Sequence, residues 1–111
     1  MDIKQLAIDL ELEENECREL LELFINTGIS DLTVMKSAMR ECDTSLIMSA
    51  AHSIKGAAGN FNFFALSSAA AEIEANARRE QLETVRESIT ILENLLNEAA
   101  SFFSIEHIMP G

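Results

Sequence analysis

The chain has 111 residues and a formal net charge of −11, with 48% hydrophobic but only 5% aromatic residues and no Trp or Tyr. That length suits one domain around one core, and the acidity argues against a nucleic-acid partner, which would require a basic face. No apolar run approaches the ~20 residues of a membrane span, and Met1-Asp2-Ile3-Lys4 carries no signal-peptide pattern, so a cytoplasmic protein with no membrane contact is expected.

Alanine, leucine and glutamate dominate, the single proline is Pro110, and β-branched alternation is absent. An all-α fold is therefore expected. Residues 2–9 read as a short amphipathic helix with Ile3, Leu6 and Leu10 inward. A second helix begins near Glu13, where Glu13, Glu14 and Glu16 suit the positive end of the helix dipole. Its stripe Leu21, Ile25, Gly28, Leu32, Met35 and Met39 steps by fours and threes, and a second stripe, Leu20, Phe24, Thr27, Val34 and Ala38, runs beside it. So wide an apolar arc either contacts several helices or leaves a part for a partner.

Asp43 is placed to cap a third helix, and Asn60 to Asn62 form the turn that follows it. The fourth helix runs from about Phe64 to Arg79 with Leu66, Ala69, Ala70, Ile73 and Ala77 inward; its alanines permit close packing on those of the third. A connection around Glu80 and Gln81 leads to a fifth helix, near Leu82 to Phe103, on the stripe Leu82, Val85, Ile89, Leu92, Leu96 and Ala99. Residues 104–111 read as a loose tail. Short loops between long helices imply one domain over residues 1–111: an up-down antiparallel four-helix bundle with a short additional N-terminal helix as a lid.

The third helix carries the most informative stretch, Ala51-His52-Ser53-Ile54-Lys55-Gly56-Ala57-Ala58-Gly59. At about 3.6 residues per turn, His52, Lys55 and Gly56 share one face. Ile47, Ala50, Ile54, Ala57 and Phe61 point the other way, toward the expected core. A lone helical histidine is most often structural or merely exposed. Here the spacing puts a titratable nucleophile beside a fixed positive charge and a position with no side chain. A ring nitrogen that accepts a phosphoryl group needs all three: the imidazole attacks, the ammonium steadies phosphate oxygens, and the bare glycine leaves room for the donor.

The run His52-Ser53-Ile54-Lys55-Gly56-Ala57-Ala58-Gly59-Asn60-Phe61 resembles the histidine-containing phosphotransfer (Hpt) domains of multi-step phosphorelays, and is similar to the phospho-accepting domain of chemotaxis-type histidine kinases. Their pattern is H-x-x-K-G, usually with a second glycine six residues after the first. Asn62 stands at that second position here, a residue that tolerates a left-handed backbone. The resemblance implies phosphorylation of His52, phosphate stabilisation by Lys55 and steric access at Gly56. In the related domains a glutamine or glutamate on the following helix hydrogen-bonds the histidine; twenty-two residues on from His52 stands Glu74. Arg78, one turn further, is a candidate phosphate or partner contact, or an i,i+4 partner of Glu74. Met48 is a candidate docking residue.

The implied partners are a response-regulator receiver domain, a histidine kinase, or both, with Mg2+ on the partner and no cofactor intrinsic to this chain. There is no glycine-rich nucleotide loop, so autonomous kinase activity is not expected. Neither histidine has the glutamate spacing of a di-iron bundle, and two distant histidines with Cys17 and Cys42 do not make a metal site. His107, beside Glu106, reads as incidental. The expected function is a monomeric phosphorelay intermediate that takes a phosphoryl group from one receiver aspartate and passes it to another. The alternatives are the substrate domain of a chemotaxis-type kinase and a helical interaction module without phosphotransfer.

Overall fold

The computed structural model describes residues 2–108, with side chains through Phe103. Five helices follow in order: α1 (Ile3–Asp9), α2 (Glu14–Glu41), α3 (Thr44–Asn60), α4 (Phe64–Arg78) and α5 (Leu82–Ile108). The last four run alternately up and down. Each packs against its sequence neighbour, and α5 closes the ring onto α2, while α1 rests on α2.

The helix starts follow from local chemistry. Asp2 caps α1 by accepting from the Lys4 amide at 3.0 Å, and Asp43 caps α3 by accepting from the Leu46 amide at 3.1 Å. Glu13 and Glu16 form a reciprocal capping box at α2. The turns follow a second rule. Glu11, Cys42, Asn62 and Glu80 all have φ between 54° and 60°, the left-handed region, and no described glycine does. The amide after each of the four bonds the carbonyl five residues back: Leu12 to Ala7, Asp43 to Ala38, Phe63 to Ala58 and Gln81 to Asn76, each at 2.9 Å. These are Schellman closures built without glycine.

The helix lengths differ. At about 1.5 Å rise per residue, the 28-residue α2 accounts for nearly all of the 45 Å long axis, whereas α3 has only 17 residues and α4 only 15. The long pair therefore outruns the short pair. Ile3, Leu6 and Ala7 of α1 are buried, with α1 packed on α2 as the expected additional N-terminal helix. Phe24, Phe61 and Phe63 cluster with ring centroids 5.3–5.6 Å apart, pinning the α3–α4 turn to α2.

The expected core stripes of α4 are all buried, and in α5 Val85, Ile89, Leu92 and Leu96 are buried with Leu82 and Ala99 at the edge. In α2 the first stripe is buried except for half-buried Met39. The second splits: Phe24 and Ala38 are inside, Val34 is at the edge, and Leu20 and Thr27 face solvent. Leu23 and Ile29 are exposed too, so the wide arc is more than the bundle consumes. The helical backbone of α5 continues past Phe103 through Ile108, into the stretch expected as a loose tail. No glycine or proline stands between Leu82 and Ile108 to interrupt it. Residues 109–111 of that tail, and the side chain of His107, lie outside the described residues. Cys17 is buried, which raises its thiol pKa, and Cys42 is exposed; both are free. No helix among the described residues is long and apolar enough to cross a membrane.

Candidate functional site

His52 sits mid-helix on the outer face of α3, its side chain 68% exposed. Ile47, Ala51, Ile54 and Ala58 on the opposite face are buried, so the helix is anchored from behind and the imidazole is presented outward. Glu74 on α4 faces it, with a side chain only 14% exposed. Glu74 Oε2 lies 3.0 Å from His52 Nδ1, and Oε1 accepts from Lys55 Nζ at 2.7 Å. One carboxylate thus serves both motif residues.

The electrostatics assign the ring's proton. The Lys55 hydrogen bond holds the Glu74 carboxyl below its ordinary 4.5; partial burial opposes this, and the charge of Lys55 and the contact with His52 add to the lowering. Glu74 is therefore ionised at neutral pH and can only accept. Nδ1 of His52 must be the N–H donor in this contact. In the neutral ring that leaves the lone pair on Nε2, the nitrogen directed away from Glu74.

A family model described as Hpt domain matches residues 19–102, which run from within α2 through most of α5 and include every residue of this constellation. The chain belongs to the Hpt domain family. Its structure is similar to that of histidine-containing phosphotransfer protein B (HptB) from Pseudomonas aeruginosa PAO1, with a TM-score of 0.84 and 27% sequence identity over 96% of this chain and 92% of that one. No curated protein sequence matches the chain.

The other expected Hpt site residues fall at different distances from the ring's chemistry. Gly56 is exposed, and a Cβ built there meets nothing within 4 Å, so the surface beside His52 is open. Lys55 is near the ring, but its ammonium is engaged by Glu74. Arg78 is exposed one turn beyond Glu74 and forms no ion pair or hydrogen bond among the described residues. The i,i+4 pair with Glu74 is not made; the Glu74 carboxylate is turned to His52 and Lys55 instead. Met48 is half-buried and packs against the core edge one turn before His52. Asn62 does adopt the left-handed conformation expected of it, with φ 60°.

Sequence reading missed Ser67. Its hydroxyl donates to the Lys55 main-chain carbonyl across the α3–α4 seam at 3.1 Å. The available signal was periodicity: Ser67 and Glu74 are seven residues apart, two turns, and share a flank of α4. Among the described residues, no group of three or more His, Cys, Asp or Glu side chains is placed to hold a metal ion.

Proposed function

We propose that His52 is the phosphoryl-accepting residue of this Hpt domain, taking the group from the phospho-aspartate of a receiver and returning it to the aspartate of another. The observation that carries this reading is the Glu74 contact, which keeps the proton on Nδ1 and the lone pair on Nε2 of an exposed ring. In the transfer, Nε2 bonds to phosphorus as the bond from phosphorus to the aspartyl oxygen breaks. The aspartate leaves as a carboxylate. The Nδ1 proton stays on the ring against Glu74, which offsets the positive charge that develops on the imidazole. Lys55 has three N–H donors, so its ammonium turns toward the phosphoryl oxygens while keeping one bond to Glu74. Gly56 leaves the receiver's approach clear. Magnesium and the groups that activate the acyl phosphate belong to the receiver. The exposed part of Met48 and the outer arc of α2 offer apolar docking surface, and Arg78 is free to meet the incoming phosphate or its carrier. We assign the chain no kinase activity of its own and a cytoplasmic, monomeric working state.

The test is incubation with phosphorylated receivers from the same genome, followed by detection of acid-labile phosphate on this chain. His52→Gln should abolish labelling with a melting curve like that of the wild type. Labelling that survives in His52→Gln would overturn the site. Glu74 also favours a second reading, because chemotaxis-type substrate domains, which this sequence resembles, carry glutamate there. In that case an ATP-binding kinase module labels His52 with no receiver present.

A further inference from the structure

Two α4 side chains reach α3 on the same side of the seam, and both take hold of one residue. Ser67 Oγ donates to the Lys55 carbonyl at 3.1 Å, and Glu74 accepts from the Lys55 ammonium at 2.7 Å. The motif lysine is therefore held by α4 at its main chain and at its tip. The carbonyl has a second lone pair, so the Ser67 bond adds to the α3 backbone ladder without replacing a rung. Ser67 is half-buried, which limits the competition from water.

The two contacts are geometrically coupled. Ser67 and Glu74 stand two turns apart on one rigid helix. Any slide or rotation of α4 that opens the Ser67 bond carries Glu74 away from Nδ1 of His52, 3.0 Å off in the closed arrangement. A charge-assisted hydrogen bond weakens steeply as its length and angle depart from the optimum. The tautomer of His52 is therefore sensitive to a hydroxyl that never touches the ring.

We infer that Ser67 is a positioning residue that sets the register of α4 against α3, so that Glu74 holds the His52 ring as the Nδ1–H tautomer with Nε2 free. Its weight in transfer rests on the reading of His52 as acceptor, but the tautomer can be read without any transfer. Nitrogen-15 NMR of the imidazole, assigned by loss of the signal in His52→Gln, gives the tautomer populations. The initial rate of labelling by a phosphorylated receiver gives the function.

Ser67→Ala should move the ring population toward Nε2–H and slow labelling about three- to ten-fold, the span expected for one ordinary hydrogen bond. Ser67→Thr, which keeps the hydroxyl, should restore both. In a Glu74→Ala background the Ser67→Ala change should leave the tautomer where it already is. An unchanged tautomer in folded Ser67→Ala would overturn the assignment, and so would an effect of equal size in the Glu74→Ala background. Should Ser67→Ala fail to fold, Ser67→Cys, which keeps a side chain of similar shape with a weak donor, enters the same comparison. A wild-type protein that accepts no phosphoryl group yet loses its Nδ1–H tautomer in Ser67→Ala would sink the phosphotransfer reading and still support the positioning role.

Discussion

The α3–α4 pair and the α2–α5 pair are joined in different ways. Six of the ten buried residues in α3 and α4 are alanine: Ala50, Ala51, Ala58, Ala69, Ala70 and Ala77. The long pair buries Leu21, Phe24, Ile25, Leu32 and Met35 from α2, with Val85, Ile89, Leu92 and Leu96 from α5. Small side chains let two backbones approach, so a serine and a glutamate can span the gap and make three hydrogen bonds to α3. Large side chains bury more apolar surface, at about 25 cal/mol per Å². One cross-link between the long helices is an ion pair, Lys36 with Glu93, both substantially exposed. Such pairs contribute about 0–1 kcal/mol. One pair of helices thus contributes most of the hydrophobic stabilisation, and the other sets distances at the site.

The largest expected effect tests that division on the long pair. Leu92 is fully buried, so Leu92→Ala should cost about 2–5 kcal/mol in denaturant melts. Phosphoryl acceptance per folded molecule should stay at the wild-type level. Lost acceptance in fully folded protein would mean that the long pair also positions the site.

Ala70→Leu probes the other pair. Ala70 is fully buried one turn before Glu74, and overpacking there should cost about 1–3 kcal/mol. Here acceptance should fall as well, because α4 must move away from α3. A purely thermodynamic penalty would break the comparison by reducing the alanines to filler.

Acid sharpens the same point. The folded Glu74 carboxyl titrates below its ordinary 4.5, chiefly through Lys55. A group whose pKa is depressed on folding stabilises the fold above its unfolded pKa, and that contribution is lost as the pH falls through the folded value. Stability attributable to Glu74 is thus full above 4.5 and drains away below it. Glu74→Gln should flatten this part of a stability-versus-pH curve. Parallel wild-type and variant curves in that acid range would show that the Lys55 contact contributes nothing.

At Gly56 the expected signs diverge. Leucine is the better helix former by up to about 1 kcal/mol, and the position is open. Gly56→Leu should therefore melt at the same temperature or higher while labelling slows. Unaltered labelling would show that access at this position is not limiting. The smallest effect belongs to a turn: Glu80→Gly should relieve a left-handed residue and raise stability by at most about 1 kcal/mol, without touching acceptance. A lower melting temperature would mean that chain entropy outweighs the relief.

Much of the fold was legible because its signals are periodic. The α4 and α5 stripes and the outward placement of His52 follow from spacing alone. In α2, spacing identified apolar positions but not which of them the bundle would cover, so Leu20 reads like Phe24 until neighbouring helices are in place. Glu74 came from a residue count within a family resemblance, since nothing local in Ala71-Glu72-Ile73-Glu74 separates it from Glu72. Engagement of Lys55 by Glu74 was not legible, because ammonium chemistry alone suits a phosphate equally well. The turns around Asn62 and Glu80 were placed by the sequence, but the left-handed closures at Glu11, Cys42 and Glu80 were not legible. Only Asn62 among the four left-handed residues is a type that favours that conformation, and Glu11, Cys42 and Glu80 adopt it because the Schellman bonds around them demand it.

The ring of helices also bears on how the chain assembles. Each helix from α2 to α5 packs on its neighbour in sequence, and the α2–α5 seam is the main contact that joins distant parts of the chain. Loop-closure entropy is small for the successive hairpins and largest for that final seam. Low contact order of this kind goes with folding in microseconds to milliseconds, with the α3–α4 hairpin able to form before the ring shuts. Temperature-jump refolding on the scale of seconds would contradict that order of events.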